Sequence, residues 1–115
     1  MLRYDLTIIQ GETFSQDVVF KTMVNIYTLE GYTAKSQIRP YVGSKELTSE
    51  FTCTVYPEEG CIHMELDSTK TAKIPAGIYQ YDLLISKDGS VNYYIGGKVF
   101  VKKHITEPLW LLHPL

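Results

Sequence analysis

Residues 75–101 constrain the fold of this chain most, because they have the pattern of one long β-hairpin. Two runs of alternating apolar and polar residues are joined by Asp88-Gly89, a dipeptide that strongly favours a two-residue hairpin turn. The alternation predicts that the apolar rows hold Tyr79, Tyr81, Leu83 and Ile85, then Val91, Tyr93 and Ile95, with Val99 and Val101 resuming after Gly96-Gly97. The segment therefore predicts an all-β protein, and it shows no catalytic group.

Shorter alternating runs precede this hairpin and predict five further strands, over 4–10, 13–21, 32–39, 51–56 and 61–67. After them, Asp67-Ser68-Thr69 supplies an N-cap, which predicts a single helical turn over 70–74. About seven short strands with frequent turn signals favour an antiparallel β-sandwich over a barrel or a repeat. We assign residues 1–106 to this sandwich and residues 107–115 to an apolar C-terminal tail.

Composition and charge narrow the class of protein. The 115 residues are enough for one domain with a single core, and a hydrophobic share of 44% indicates a chain that folds. The net charge is −2, and Lys102-Lys103-His104 is too short a basic run to bind phosphates, so no nucleic-acid partner is expected. No signal-peptide pattern and no apolar run of membrane-spanning length occurs in the sequence. We therefore expect synthesis in the cytoplasm and no membrane partner.

The two cysteines are predicted to be free thiols. Pairing Tyr56 with Cys61 in a hairpin over 51–67 places Cys53 opposite Met64, on the other face of the sheet from Cys61. Side chains on opposite faces cannot reach the short Cβ separation of a disulfide. Free thiols also agree with cytoplasmic synthesis.

The ionisable residues do not form a recognised catalytic or metal-binding pattern. His63, His104 and His113 lack metal-ligand spacing, and His63 is expected in a solvent-facing pair beside Glu65. We therefore expect no enzyme activity, no cofactor and no metal.

Two repeated features have a structural and a functional interpretation. Asp5 and Asp82 each stand in Tyr-Asp-Leu, and paired carboxylates could act as acid and base if they converge in a pocket. The alternative, which we prefer, is that they bond neighbouring backbone or hydroxyl groups. Gly96-Gly97 lies between strand segments, so it predicts a bulge or a close backbone crossing rather than a phosphate site.

The candidate functional residues form a predicted protein interface. It consists of Arg39 and the aromatic residues Tyr93, Tyr94 and Phe100, together with Trp110, Leu111 and Leu112 of the tail. Tyr94 and Phe100 fall on the outward parity, and tyrosine, tryptophan and arginine dominate many protein contacts. The alternative is that Gly96-Gly97 changes the register of the strand and buries both rings. The tail either folds back over the domain or docks on a neighbouring subunit.

The order of several motifs resembles a known family. The motifs are Tyr4–Ile8, Gln10–Phe14, Leu29–Arg39, Thr71–Gly77, Tyr79–Leu83 and Gly96–Val101. Together they resemble the small immunoglobulin-like modules of tailed bacteriophages and prophages, in particular the N-terminal domain of upper baseplate proteins of phages that infect Gram-positive bacteria. The resemblance extends from Tyr4 to about Thr106.

This resemblance implies an immunoglobulin-like β-sandwich located in the virion. Such a module attaches to the tail, the baseplate or the head surface by binding other virion structural proteins, often as an oligomer, and carries no catalytic residues. The chain departs from baseplate proteins in ending soon after the module, so which part of the particle holds it stays open.

Two other function classes remain at this point. A carbohydrate- or receptor-binding module would stack exposed tyrosine and tryptophan rings on sugars, with Asp and Gln side chains as hydrogen-bond partners. A host-directed regulator has no positive feature in the sequence. The shape of the aromatic surface separates the first two classes, since a shallow groove with carboxylates favours sugar and a flat apolar patch favours protein.

Overall fold

A computed structural model of the chain describes residues 1–20 and 28–106. Within those residues it contains eight strands and one short helix. The elements are β1 Leu2–Arg3, β2 Leu6–Ile9, β3 Phe14–Val19, β4 Thr33–Arg39, β5 Ser49–Tyr56, β6 Cys61–Leu66, α1 Ser68–Ala72, β7 Gly77–Lys87 and β8 Ser90–Lys102. The predicted all-β class is confirmed.

The strands form one curled sheet in the order β1-β8-β7-β4-β5-β6-β3, with β2 also paired to β8. Most neighbours are antiparallel, but β1 and β2 run parallel to β8. The sheet is therefore mixed, and the expectation of an antiparallel arrangement is wrong for these two strands. The reason is topological: β2 and β8 lie near opposite ends of the sequence, so no hairpin dictates their direction.

The sheet curls at strand β5, which pairs with different strands along its length. Its first residues, Ser49–Phe51, pair with β4, whereas Thr52–Tyr56 pair with β6. The ring of Phe51 then lies 5.7 Å from Phe14 of β3 and 6.3 Å from Tyr81 of β7, measured between centroids. Side chains from distant strands thus meet in a single apolar core.

Most of the core comes from inward rows of the strands, and Phe20, Leu29 and Ile74 join it from segments between elements. Its buried members are Leu6, Ile8, Phe20, Leu29, Ile38, Phe51, Ile62, Met64, Leu66, Ile74, Tyr81, Leu83, Ile85, Val99 and Val101. Burial of these side chains is the main stabilising contribution to the fold.

The hairpin of β7 and β8 forms at the predicted turn, where Asp88 and Gly89 both have positive φ, at 51° and 80°. Its pairing shifts between Leu83↔Ile95 and Leu84↔Tyr93, so Tyr94 is an extra residue in β8. Because of this extra residue, β8 side chains that simple alternation places on one face point to opposite faces before and after the bulge. The prediction that Val91, Tyr93 and Ile95 share a buried face is therefore wrong: Val91 and Tyr93 are exposed, while Ile95 packs against the core.

Two local predictions hold in the structure. The Asp67 carboxylate accepts a hydrogen bond from the backbone N–H of Lys70 at 2.9 Å and caps α1, which begins two residues before the predicted turn. Cys53 lies opposite Met64, and both cysteines are free. Burial raises the pKa of the Cys53 thiol to about 11, so this thiol stays protonated at neutral pH.

Candidate functional site

The outward side chains of β4 and β7 form the floor of a groove. Strand register places Gln37 opposite Asp82 and Arg39 opposite Gln80. These four side chains, together with the N-terminal residues and the loop after β4, line a cleft of about 900 Å³, which we call the outer groove. Its size falls within the range of small-molecule sites in proteins.

Exposed apolar and aromatic side chains form the rim of the outer groove. They are Met1, Leu2, Tyr41, Val42 and Tyr93. The side chain of Tyr41 is 64% exposed and that of Tyr93 is 57% exposed. The rim therefore offers ring faces and aliphatic surface that the domain's own core does not use.

The N-terminal wall of the groove depends on the two glycines of β8. A Cβ placed on Gly96 would stand 3.0 Å from the Met1 sulfur, and one on Gly97 would stand 2.8 Å from the Tyr4 carbonyl oxygen. Tyr4 donates its backbone N–H to the Gly96 carbonyl at 2.9 Å. The predicted close backbone crossing is confirmed here, and the bulge lies two residues earlier, at Tyr94.

Asp5 serves this crossing and does not line the groove. Its carboxylate accepts a hydrogen bond from the backbone N–H of Lys98 at 2.8 Å. The hydroxyl of Tyr81 donates to the Tyr4 carbonyl on the same segment. The preferred interpretation, that Asp5 and Asp82 bond neighbouring backbone or hydroxyl groups, is therefore confirmed for Asp5. It is wrong for the Asp82 carboxylate, which has no hydrogen-bond donor among the described residues.

Arg39 and Asp82 give the floor its charges. Arg39 donates from Nη2 to the Gln37 side-chain oxygen at 2.8 Å, and a longer contact of 3.4 Å joins Nη1 to the Ser44 carbonyl. Burial raises the pKa of the Asp82 carboxyl, and the positive charge of Arg39 partly opposes that effect.

The Asp82 carboxylate differs from the other floor groups in its partners. Within residues 1–20 and 28–106 it has neither a hydrogen-bond donor nor an ion-pair partner. The Asp82 carboxylate is partly removed from water and has no donor from the described residues in exchange. It therefore favours a ligand that carries a hydrogen-bond donor.

The structure brings only two of the predicted interface residues to the groove, Arg39 and Tyr93. Tyr94 does not face outward as predicted, because the bulge turns it toward the core. Its ring centroid lies 4.3 Å from that of Phe20. Trp110, Leu111 and Leu112 lie outside the described residues.

Phe100 faces outward as predicted but lies at the far end of β8. It alternates with buried Val99 and Val101 and stands in register with Ile78 and Thr7. Its separation from Tyr93 along the strand is about 20 Å at ~3.3 Å per residue. Phe100 and Tyr93 therefore share a sheet face but not a single pocket.

Sequence reasoning missed most of the floor and most of the rim. Gln37 and Gln80 had shown outward parity, but their pairing with Asp82 and Arg39 depends on the register of β4 against β7. Tyr41 stands in the loop after β4, where the alternation of a strand gives no information about its direction.

Elsewhere on the surface, His63 pairs with carboxylates, as its outward position predicted. Its Nδ1 lies 2.6 Å from Asp17 Oδ1, and its Nε2 lies 3.8 Å from Glu65 Oε2. No group of three or more His, Cys, Asp or Glu side chains in the described part of the chain has metal-binding geometry.

No protein-family model matches the chain, and no curated protein matches it. Among the described residues, no helix is long and apolar enough to cross a membrane.

Proposed function

We propose that this chain is a non-enzymatic assembly module of a tailed-phage or prophage particle. It would be made in the host cytoplasm and incorporated into the tail, the baseplate or the head surface by binding other virion structural proteins or copies of itself. The observation that carries this proposal is the cluster of exposed apolar and tyrosine side chains around the outer groove.

The proposed architecture is an immunoglobulin-like sandwich. The strand path supports it: β3, β6 and the second half of β5 form one run, while β4, β7 and β8 form another, reached where β5 changes partner. A second support is the hydroxyl of Tyr79, near the start of β7, which donates to the Pro75 carbonyl at 2.6 Å. A tyrosine bonded to backbone just upstream at this corner is typical of immunoglobulin-like domains.

The rim has the chemistry of a protein contact. Leu2, Tyr41, Val42 and Tyr93 line the same cleft as Arg39, and tyrosine and arginine are enriched among the residues that contribute most to binding. Apolar area removed from water at this rim would supply the driving force for assembly. The tail residues Trp110, Leu111 and Leu112 are proposed to extend the same interface.

Two measurements test this proposal. Mass spectrometry of particles purified from the source strain is expected to find the chain at a stoichiometry comparable with known structural proteins. Light scattering of the purified chain across concentrations is expected to give a discrete oligomer of the 13.1 kDa protomer. Absence of the chain from the particles would contradict the proposal. A strict monomer would contradict only the part of it in which the chain binds copies of itself.

A carbohydrate- or receptor-binding module is the second candidate function. One observation favours it: the aromatic surface borders a groove with a carboxylate in its floor rather than a flat apolar patch.

A further inference from the structure

The charge of the outer groove differs in sign from that of the whole chain. The protein carries a net charge of −2, yet the groove is lined by three cationic side chains, Arg3, Arg39 and Lys45, against the single carboxylate of Asp82. Arg3 lies 3.7 Å from Asp5, whereas Arg39 and Lys45 have no carboxylate within ion-pair distance among the described residues. Cationic side chains in a partly enclosed cleft favour an anionic ligand.

We propose that the outer groove binds an anionic saccharide. Arg39 and Lys45 hold its acidic group, the amides of Gln37 and Gln80 bond its hydroxyls, and Tyr93 packs against a sugar ring. The inference rests on the carbohydrate-binding candidate and not on the assembly role: the groove is complete within one copy of the chain, and a saccharide and a partner subunit would compete for Arg39 and Tyr93.

The polar floor distinguishes a saccharide from a simple anion. The Asp82 carboxylate is still open to water and can accept hydrogen bonds from a ligand in place of water, whereas its negative charge repels a simple anion. A sugar hydroxyl donates to a carboxylate and accepts from an amide or a guanidinium, so one ligand can satisfy both kinds of group. The mixture of acceptor and donor side chains in the floor therefore matches a polyhydroxylated ligand.

The rim supplies the remaining complementarity. Tyr93 and Tyr41 are exposed and line the groove beside the polar floor, and a tyrosine ring presents an apolar face together with a hydrogen-bonding hydroxyl. The C–H face of a pyranose is apolar while its edge is polar. A sugar ring on Tyr93 would thus bury apolar surface and keep its hydroxyls directed at Asp82 and Gln80.

The test uses two acidic probes and their uncharged counterparts. Trigalacturonate is compared with its methyl ester, and 3′-sialyllactose is compared with lactose, by calorimetric titration of the full chain. At least one acidic probe is expected to bind at least about tenfold more tightly than its counterpart, a difference of about 1.4 kcal/mol. Its affinity is also expected to fall as salt concentration rises, because salt screens the interaction of exposed charges.

Variants of exposed residues localise the binding. Tyr93→Ala is expected to weaken binding of the acidic probe about tenfold, because a tyrosine contact is lost. Lys45→Gln is expected to weaken it severalfold, because one positive charge is lost. Tyr56→Ala and Lys103→Gln are the matched controls, since both side chains are exposed and lie outside the groove. Chemical-shift mapping on the unmodified chain gives a second localisation, with changes expected at Gln37, Gln80 and Tyr93.

Three results would overturn the inference. They are no binding of either acidic probe at millimolar concentration, equal binding of the charged and uncharged forms, and shift changes confined to residues outside the groove. Tighter binding of a triglutamate peptide than of either saccharide would assign the groove to an acidic protein segment instead. Light scattering on the same samples reports assembly separately, so the saccharide inference and the assembly role can fail independently.

Discussion

The carboxylate of Asp5 accepts a hydrogen bond from the backbone N–H of Lys98 at 2.8 Å, across a gap left by Gly97. This contact fastens the N-terminal segment to β8 and fixes one wall of the outer groove. Because Asp5 and Lys98 are 93 residues apart in sequence, the contact also joins the segment between β1 and β2 to the last described strand, β8.

Replacing Gly97 with alanine should loosen that tie. The new Cβ would lie 2.6 Å from Asp5 Oδ1 and 2.8 Å from the Tyr4 carbonyl oxygen, so the N-terminal segment must shift. We expect a loss of about 1–3 kcal/mol in the free energy of unfolding, the range for overpacking a close contact. Urea denaturation measures it, and Ser90→Ala, an exposed change in the same strand, should stay within about 0.5 kcal/mol. Equal stability of Gly97→Ala and the original chain would show that the crossing is not rigid.

The Tyr81 hydroxyl should make stability depend on pH in the alkaline range. Burial, with the charges of Asp5 and Tyr4, raises its pKa from 10.0 to about 12. The folded state therefore keeps a proton that the unfolded state has lost, so stability is full below pH 10 and declines as pH rises toward 12. Denaturation midpoints of Tyr81→Phe, measured from pH 8 to pH 11, should decline less steeply than those of the original chain. Parallel pH profiles for the two proteins would contradict this assignment.

The β7–β8 turn offers a test of backbone conformation without steric contact. Gly89 has φ of 80°, and nothing lies within 4 Å of a Cβ placed on it. Gly89→Ala should therefore destabilise the protein only through its left-handed backbone, by about 1–2 kcal/mol. Asp88→Gly is the matched change, since Asp88 also has positive φ, at 51°, and it should cost less than Gly89→Ala. Thermal unfolding followed by circular dichroism distinguishes the two, and the reverse order of stability would argue against this turn geometry.

Deleting residues 109–115 tests the proposed role of the tail in assembly. If Trp110, Leu111 and Leu112 extend the interface, the truncated chain should have a lower solution mass at the same concentration. Its denaturation midpoint, measured at a concentration where both proteins are dissociated, should be unchanged. Light scattering and urea denaturation provide these two values. Loss of stability with no change of mass would indicate instead that the tail covers its own domain.

Local sequence patterns predicted the hairpin of β7 and β8 and the short helix α1, because interactions between neighbouring residues determine both. The alternation around Asp88-Gly89 gives both the hairpin and its turn, and the Asp67 cap gives the start of a short helix. The bulge at Tyr94 escaped prediction, because alternation reports parity and the extra residue appears only when β8 is aligned against β7.

The site was less predictable than the fold for the same reason. The glycine pair at 96–97 indicated a crossing, but nothing nearby in sequence names Tyr4 and Asp5 as the crossing segment. Likewise, the meeting of Gln37 with Asp82 depends on pairing between strands 45 residues apart. The register between two strands is decided by burial of their apolar face in the core. That burial depends on the whole strand and not on single residues.

The parallel pairing of β2 with β8 has a mechanical consequence. Its four residue pairs, Leu6↔Val99 to Ile9↔Lys102, join strands that run in the same direction. Tension applied at the start of β2 and at the end of β8 would pull these strands past each other lengthwise, loading all their hydrogen bonds at once. An arrangement of this kind resists stretching better than a hairpin that opens one pair at a time, which would suit a protein held between two anchored partners.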